Sequence, residues 1–156
     1  MNFLDFCQQL FPAEQTVFVG LGNESRGDDA AGLLFLNELR KQTRFKSSTM
    51  INAGSSPENV LQPILDAQPA MVVFIDATNW GGLPGEMRWI DRSELDQIRI
   101  STHAFSIQMV EKYLKAHQPM QIRYLGIQYG SIQPGHAVSE SIINAIWSFF
   151  NASNNL

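Results

Sequence analysis

The alternation of strand-like and helix-like segments constrains this chain more than any other feature. Thr16–Leu21 is a short β-branched and aromatic run that ends in glycines, and it reads as a buried strand. A helix follows over residues 28 to about 41, with Gly32, Phe35, Leu36 and Leu39 on one face and Arg40-Lys41 suited to its last turn. Residues 48–52 form a second, weaker strand. Ser56-Pro57 then opens a helix with proline at the first position, Val60, Leu61, Ile64 and Leu65 face the core, and Pro63 kinks or shortens it. Residues 70–76 are the clearest strand in the chain, and 86–90 alternate like a neighbouring or edge strand. After a helical turn over 92–98 comes a helix from 105 to about 115, with Met109, Val110, Tyr113 and Leu114 inward. Residues 121–127 read as another strand. Residues 136–150 read as a last helix, with Ile142, Ile143, Ile146 and Phe150 on one side. Residues 2–10 suggest a short helix or packed arm, and 151–156 a fraying end.

Strands alternating with helices imply an α/β fold in three αβα layers, with a mainly parallel twisted sheet of about five strands. The 156 residues suit a single domain. A composition 44% hydrophobic and 17% charged excludes a disordered or fibrous chain. The net charge of −4 argues against nucleic acid as a partner, and the basic residues at 40–41 and 44–46 read as a solvated helix end. The single cysteine, Cys7, makes no internal disulfide and no structural zinc site alone; its apolar neighbours suggest a buried thiol. The first residues lack a basic leader and a long apolar run, and the longest apolar run falls far short of the ~20 residues that span a bilayer. The expectation is therefore a cytoplasmic protein with no membrane partner.

Sheets of this kind bind ligands outside the carboxyl ends of their strands, so the polar residues that directly follow strands carry the chemical signal. After the first strand comes Gly20-Leu21-Gly22-Asn23, then Asp28-Asp29. A dinucleotide loop needs a third glycine at position 25, where serine stands, and two acids at the helix start would repel a pyrophosphate. No nucleotide cofactor is expected. One acid suffices to cap a helix, so Asp28 is assigned to the helix start and Asp29 to the cleft. Asp76 ends the most apolar strand, where a carboxylate is costly unless paired, hydrogen-bonded or on a metal. His103 leads into the next helix; His117 and His136, at helix ends, are weaker candidates. Two carboxylates and one imidazole make a plausible oxygen/nitrogen metal site for zinc, nickel or cobalt with positions left open. Gly-x-Ser-x-Gly, a Walker loop and His-Glu-x-x-His are all absent.

Gly20 through Asn23, Asp28, Asp29 and Gly32 resemble the first motif of the NiFe-hydrogenase maturation endopeptidases. Further blocks match in order: Asn52-Ala53-Gly54-Ser55-Ser56-Pro57-Glu58-Asn59, Ile75-Asp76-Ala77-Thr78 with Pro84-Gly85-Glu86, Ser101-Thr102-His103, and Leu125-Gly126-Ile127-Gln128. The details look closest to the branch that processes the large subunit of formate-hydrogenlyase-type hydrogenases. The resemblance implies a twisted five-stranded sheet between helices. It also implies an endopeptidase that removes a C-terminal propeptide from the hydrogenase large-subunit precursor once nickel is inserted. By the same resemblance Asp29, Asp76 and His103 are the catalytic and metal-contacting residues, and the nickel arrives with the substrate. Residues 1–14 precede the family's usual first strand, as an arm or a pack across the sheet. Trp80, in the variable Trp80-Gly81-Gly82 loop, is either a contact for the substrate tail or an exposed or core-edge aromatic. A metal-bound water, a carboxylate base and an aspartic-protease dyad are all open mechanisms, and nickel-assisted attack suits the trio best. The competing reading is a non-catalytic metal-sensing chaperone of the nickel-loaded precursor.

Overall fold

Unbroken apolar runs become strands here because both of their faces are covered. The computed structural model describes residues 1–95, 99–100 and 104–152. Along the chain it forms α1 (Phe3–Gln8), β1 (Thr16–Leu21), α2 (Ala31–Arg40), β2 (Thr49–Gly54), α3 (Leu61–Asp66), β3 (Met71–Asn79), β4 (Met87–Ile90), β5 (Arg99–Ile100), α4 (Ala104–His117), β6 (Gln121–Gln128) and α5 (Glu140–Asn151). The sheet runs β2-β1-β3-β6-β4, and the two-residue β5 pairs with the far end of β3. Neighbours among β2, β1, β3 and β6 are parallel; β4 lies antiparallel on β6 at one edge. This is the expected three-layer α/β arrangement. Among the described residues, no helix is long and apolar enough to cross a membrane.

Side chains of β3 alternate strictly between two cores. Met71, Val73, Ile75 and Ala77 join Phe35, Leu36, Leu39, Ile142, Ile146 and Phe150 on the α2–α5 side. Val72 and Phe74 join Ile64, Ile107, Val110 and Leu114 on the α3–α4 side. Asp76 and Thr78 continue that second face.

The N-terminal segment is a structural part of the first core. Asn2 and Asp5 form a reciprocal capping box that starts α1. Phe6, fully buried, meets Phe18, Phe35, Phe45 and Phe149, and stacks on Trp89 with ring centres 5.5 Å apart. Cys7 beside it is buried, and burial pushes its thiol up despite the nearby Arg44.

Several boundaries differ from the sequence expectation. The segment after Ser56 is a 3₁₀ turn over Pro57–Val60 before α3 begins, so the break comes just ahead of Pro63, whose ring would clash with a carbonyl four residues back in a continuous helix. The inward stripe of α4 is Ile107, Val110, Glu111 and Leu114, whereas Met109 and Tyr113 are exposed. Glu111 enters that stripe because the Tyr124 hydroxyl, Arg92 and Lys115 all bond its carboxylate. On α5, Phe149 is buried and Ile143 is exposed. That helix starts at Glu140, with Ser139 as its N-cap, not at 136.

Phe6→Ala should lower the unfolding free energy by about 3–5 kcal/mol, the usual cost of emptying an aromatic site. Urea unfolding followed by circular dichroism reads it. A loss below about 1 kcal/mol would mean that α1 is an appended arm.

Candidate active site

Close backbone approach builds the site before any polar group enters it. Gly32, in the first turn of α2, has no room for a Cβ: one built there collides with the carbonyl oxygens of Ile75 and Leu21. The helix therefore starts directly on the carboxyl ends of β3 and β1. Gly22 sits at φ +146°, and a side chain on it would run into the Asp29 carbonyl. The Asn23 N–H donates to that carbonyl, and the Asp29 N–H donates to the Arg26 carbonyl. The glycines of the first motif thus serve tight strand–helix packing and fix Asp29 over the end of the sheet.

Asp28 and Asp29 are both 1% exposed, yet they have different surroundings. Asp28 does not cap its own helix, which corrects the sequence expectation. It reaches across to the loop between β6 and α5. There it accepts from the N–H groups of Gly130 (2.9 Å), Ser131 (3.0 Å) and Ser139 (2.8 Å), and from the Ser139 hydroxyl (2.8 Å). Burial pushes its carboxyl up, but the donors from Ser139, Ser131 and Gly130 outweigh that and hold it below the usual carboxylate range. Backbone bonds from Gly27 to His136, Asp28 to Ser131 and Gly135 to Ser25 close the same seam.

Asp76 has the opposite environment. It is 4% exposed, opposite Gly126 in the β3–β6 ladder, and neither carboxylate oxygen accepts a hydrogen bond from the described residues. Burial and then the charge of Asp29 hold its carboxyl well above the usual range. The Ala77 N–H opposes this from a geometry too poor to count as a hydrogen bond. Asp29 and Asp76 are therefore close enough to repel, and both sit beneath the rim, not on an open cleft. His103 lies outside the described residues. Among the described residues, no group of three or more His, Cys, Asp and Glu side chains is set to hold a metal ion.

Two nearby residues had no role in the sequence reading. Gln128 is buried and uses all four positions of its amide. Its Oε1 accepts from the N–H groups of Trp80 (2.9 Å) and Gly82 (3.1 Å), while its Nε2 donates to Asn79 Oδ1 (3.0 Å) and the Tyr129 carbonyl (2.9 Å). It shapes the rim loop that carries Trp80, whose ring is half-buried under the Arg88 guanidinium at 4.7 Å. Thr78 is 2% exposed and its hydroxyl has no partner among the described residues. Both residues lie in blocks that carry the family resemblance, and strand alternation from Asp76 gave Thr78 its face; the role of Gln128 was not readable, because it comes from a loop on another strand.

An acid pair at the carboxyl end of a parallel sheet, with α2 seated on the strand ends, defines an α/β protein whose candidate site lies where such sheets hold their ligands. Comparison with known proteins gives the particular kind. Residues 34–152 match the family model described as hydrogenase maturation protease. The hydrogenase 3 maturation protease of Escherichia coli K12 is 28% identical over 131 residues, 83% of each chain. The crystal structure of a NiFe-hydrogenase maturation protease, HycI, from Thermococcus kodakarensis superposes with TM-score 0.76 at 30% identity, covering 91% of both chains. The solution structure of the endopeptidase HycI from Escherichia coli gives 0.75 at 27%, covering 88% of this chain and 87% of that one. The chain belongs to the hydrogenase maturation protease family. It is accordingly a peptidase of hydrogenase maturation, and the catalytic reading stands over the chaperone reading.

Asp28→Ala leaves four donors facing a void and should cost about 2–3 kcal/mol of stability, the range for hydrogen bonds to a charged group. Because folding lowers this carboxyl's pKa, its contribution is present above about pH 4 and fades as pH falls through the folded value. The acid limb of the wild-type stability curve should be correspondingly shallower in the variant. A variant as stable as wild type in thermal unfolding would remove the staple from the account.

Proposed function

We propose that this peptidase removes the C-terminal propeptide of a NiFe-hydrogenase large-subunit precursor after nickel insertion, and that Asp29, Asp76 and His103 take hold of the nickel the precursor carries. The supporting observation is the Asp76 carboxylate, buried with both oxygens unbonded among the described residues and repelled by Asp29. Such a group is stabilised by a proton or by a cation. Two carboxylates and an imidazole are a donor set that nickel accepts. The ion therefore acts as the recognition element, and the precursor gains affinity only when it is loaded.

Exchange of nickel ligands onto the trio would set the scissile peptide beside the acids. A water then adds to the carbonyl carbon, the carbon–nitrogen bond breaks, and the proton from water ends on the leaving amine. One carboxylate serves as general base in that transfer. The products are a shortened large subunit with a new terminal carboxylate and a free peptide. Nickel dependence tests recognition of the loaded precursor, whichever group activates the water.

Nickel-loaded and nickel-free precursors should be incubated with wild type, Asp29→Asn, Asp76→Asn and His103→Ala. Mass spectrometry of the precursor's carboxyl terminus reads cleavage, and circular dichroism checks the fold of each variant. Cleavage should occur only with the loaded precursor. Asp76→Asn should lose about 100-fold or more, since this carboxylate has the least water to replace it. His103→Ala should lose nickel-dependent binding while keeping its fold. Full activity in a folded Asp76→Asn protein, or equal cleavage of both precursors, refutes the proposal.

A further inference from the structure

Two residues beyond Asp76, on the same face of β3, stands Thr78. Its side-chain oxygen is solvent-free and bonded to nothing among the described residues, as are both oxygens of Asp76. A hydroxyl donor and a carboxylate acceptor on neighbouring same-face positions are each left unmatched, and they do not pair with each other. Buried hydroxyls are normally satisfied, and leaving one unmade is a net cost to the fold.

The hydroxyl occupies the room that a glycine leaves for it. Gly126 is the ladder partner of Asp76, and a Cβ there would lie 2.5 Å from Thr78 Oγ1 and 2.8 Å from Ile90 Cδ1. The hydroxyl thus leans back to the level of Asp76, over a glycine that admits it. Gln128, the ladder partner of Thr78, is fully engaged with the 79–82 loop and has no free position for it. Same-face neighbours on a strand stand about 6.6 Å apart along the backbone, and the hydroxyl's lean toward Asp76 brings both groups within reach of one peptide segment.

We propose that Thr78 is a substrate-binding residue of this site, its hydroxyl donating a hydrogen bond to a carbonyl oxygen of the peptide segment being cut. The inference rests on the reading of Asp76 as a site residue. Negative charge grows on a carbonyl oxygen when water adds to its carbon, so the bond strengthens toward the transition state. Its loss falls on kcat more than on KM.

The test compares Thr78→Val, Thr78→Ser and Asp76→Asn on nickel-loaded precursor, with kcat, KM and thermal midpoint measured for each. Valine keeps the shape and deletes a hydroxyl that bonds nothing among the described residues. Thr78→Val should therefore keep or raise Tm while kcat falls about 10- to 100-fold and KM moves less than about 3-fold. Thr78→Ser should stay within about 3-fold of wild type. Wild-type kcat in Thr78→Val overturns the inference, as does a lowered Tm that Thr78→Ser shares, which marks a packing role. If Asp76→Asn is inactive and Thr78→Val is not, Thr78 alone fails; if folded Asp76→Asn is fully active, the site reading fails with it.

Discussion

A carboxylate removed from water without donors is held in place only by what surrounds it, and Asp76 is in that position. It stays there because β3 is held along both edges and on both faces. Parallel ladders bind it to β1 and β6, and its side chains enter two cores. Packing on both faces turns a local electrostatic cost into a fixed feature of the fold. The energy stored at Asp76 is offset by apolar burial along Met71–Asn79, eight of whose nine residues are buried. A protein able to move that carboxylate to the surface would relax and lose the site.

Asp28 and Asp29 show how one backbone step gives adjacent carboxylates different surroundings. The 3₁₀ turn over Gly27–Ala30 points the first carboxylate at three backbone amides and a hydroxyl, and brings the second within electrostatic range of Asp76. The first is the better solvated in the protein's own polar groups and keeps its charge easily. The second adds to a local excess of negative charge that a positive visitor would relieve. Substitutions at the two positions therefore test different properties, the seam to the β6–α5 loop at one and the electrostatics shared with Asp76 at the other.

Much of the architecture was legible because its signals are local. β1 and β3 announce themselves as apolar runs, β6 reads as a further strand despite Gln121 and Arg123, and their order with the intervening helices implies the parallel sheet. Asp29 and Asp76 were legible from position, as polar groups at the ends of such runs. What was not legible depends on distant partners. The phase of α4 could not be read because Glu111 looks polar in sequence, and its burial relies on Tyr124, Arg92 and Lys115. The role of Asp28 was misassigned for the same reason: its donors lie more than 100 residues away, while helix capping is the cheapest local explanation of an acid at a helix start. Gln128 organises a loop that belongs to another strand, so no window of sequence contains both.

The strand order also sets a timetable for synthesis. β6 inserts between β3 and β4, so β4, made some thirty residues earlier, pairs with β6 alone among the described strands. A chain emerging from the ribosome must hold β4 unpaired until β6 arrives, and the seam from Asp28 to Ser139, 111 residues long, closes later still. Only the nearly finished chain can bring the acids under their rim. The contact between Asp28 and Ser139 is thus among the last that a growing chain can complete.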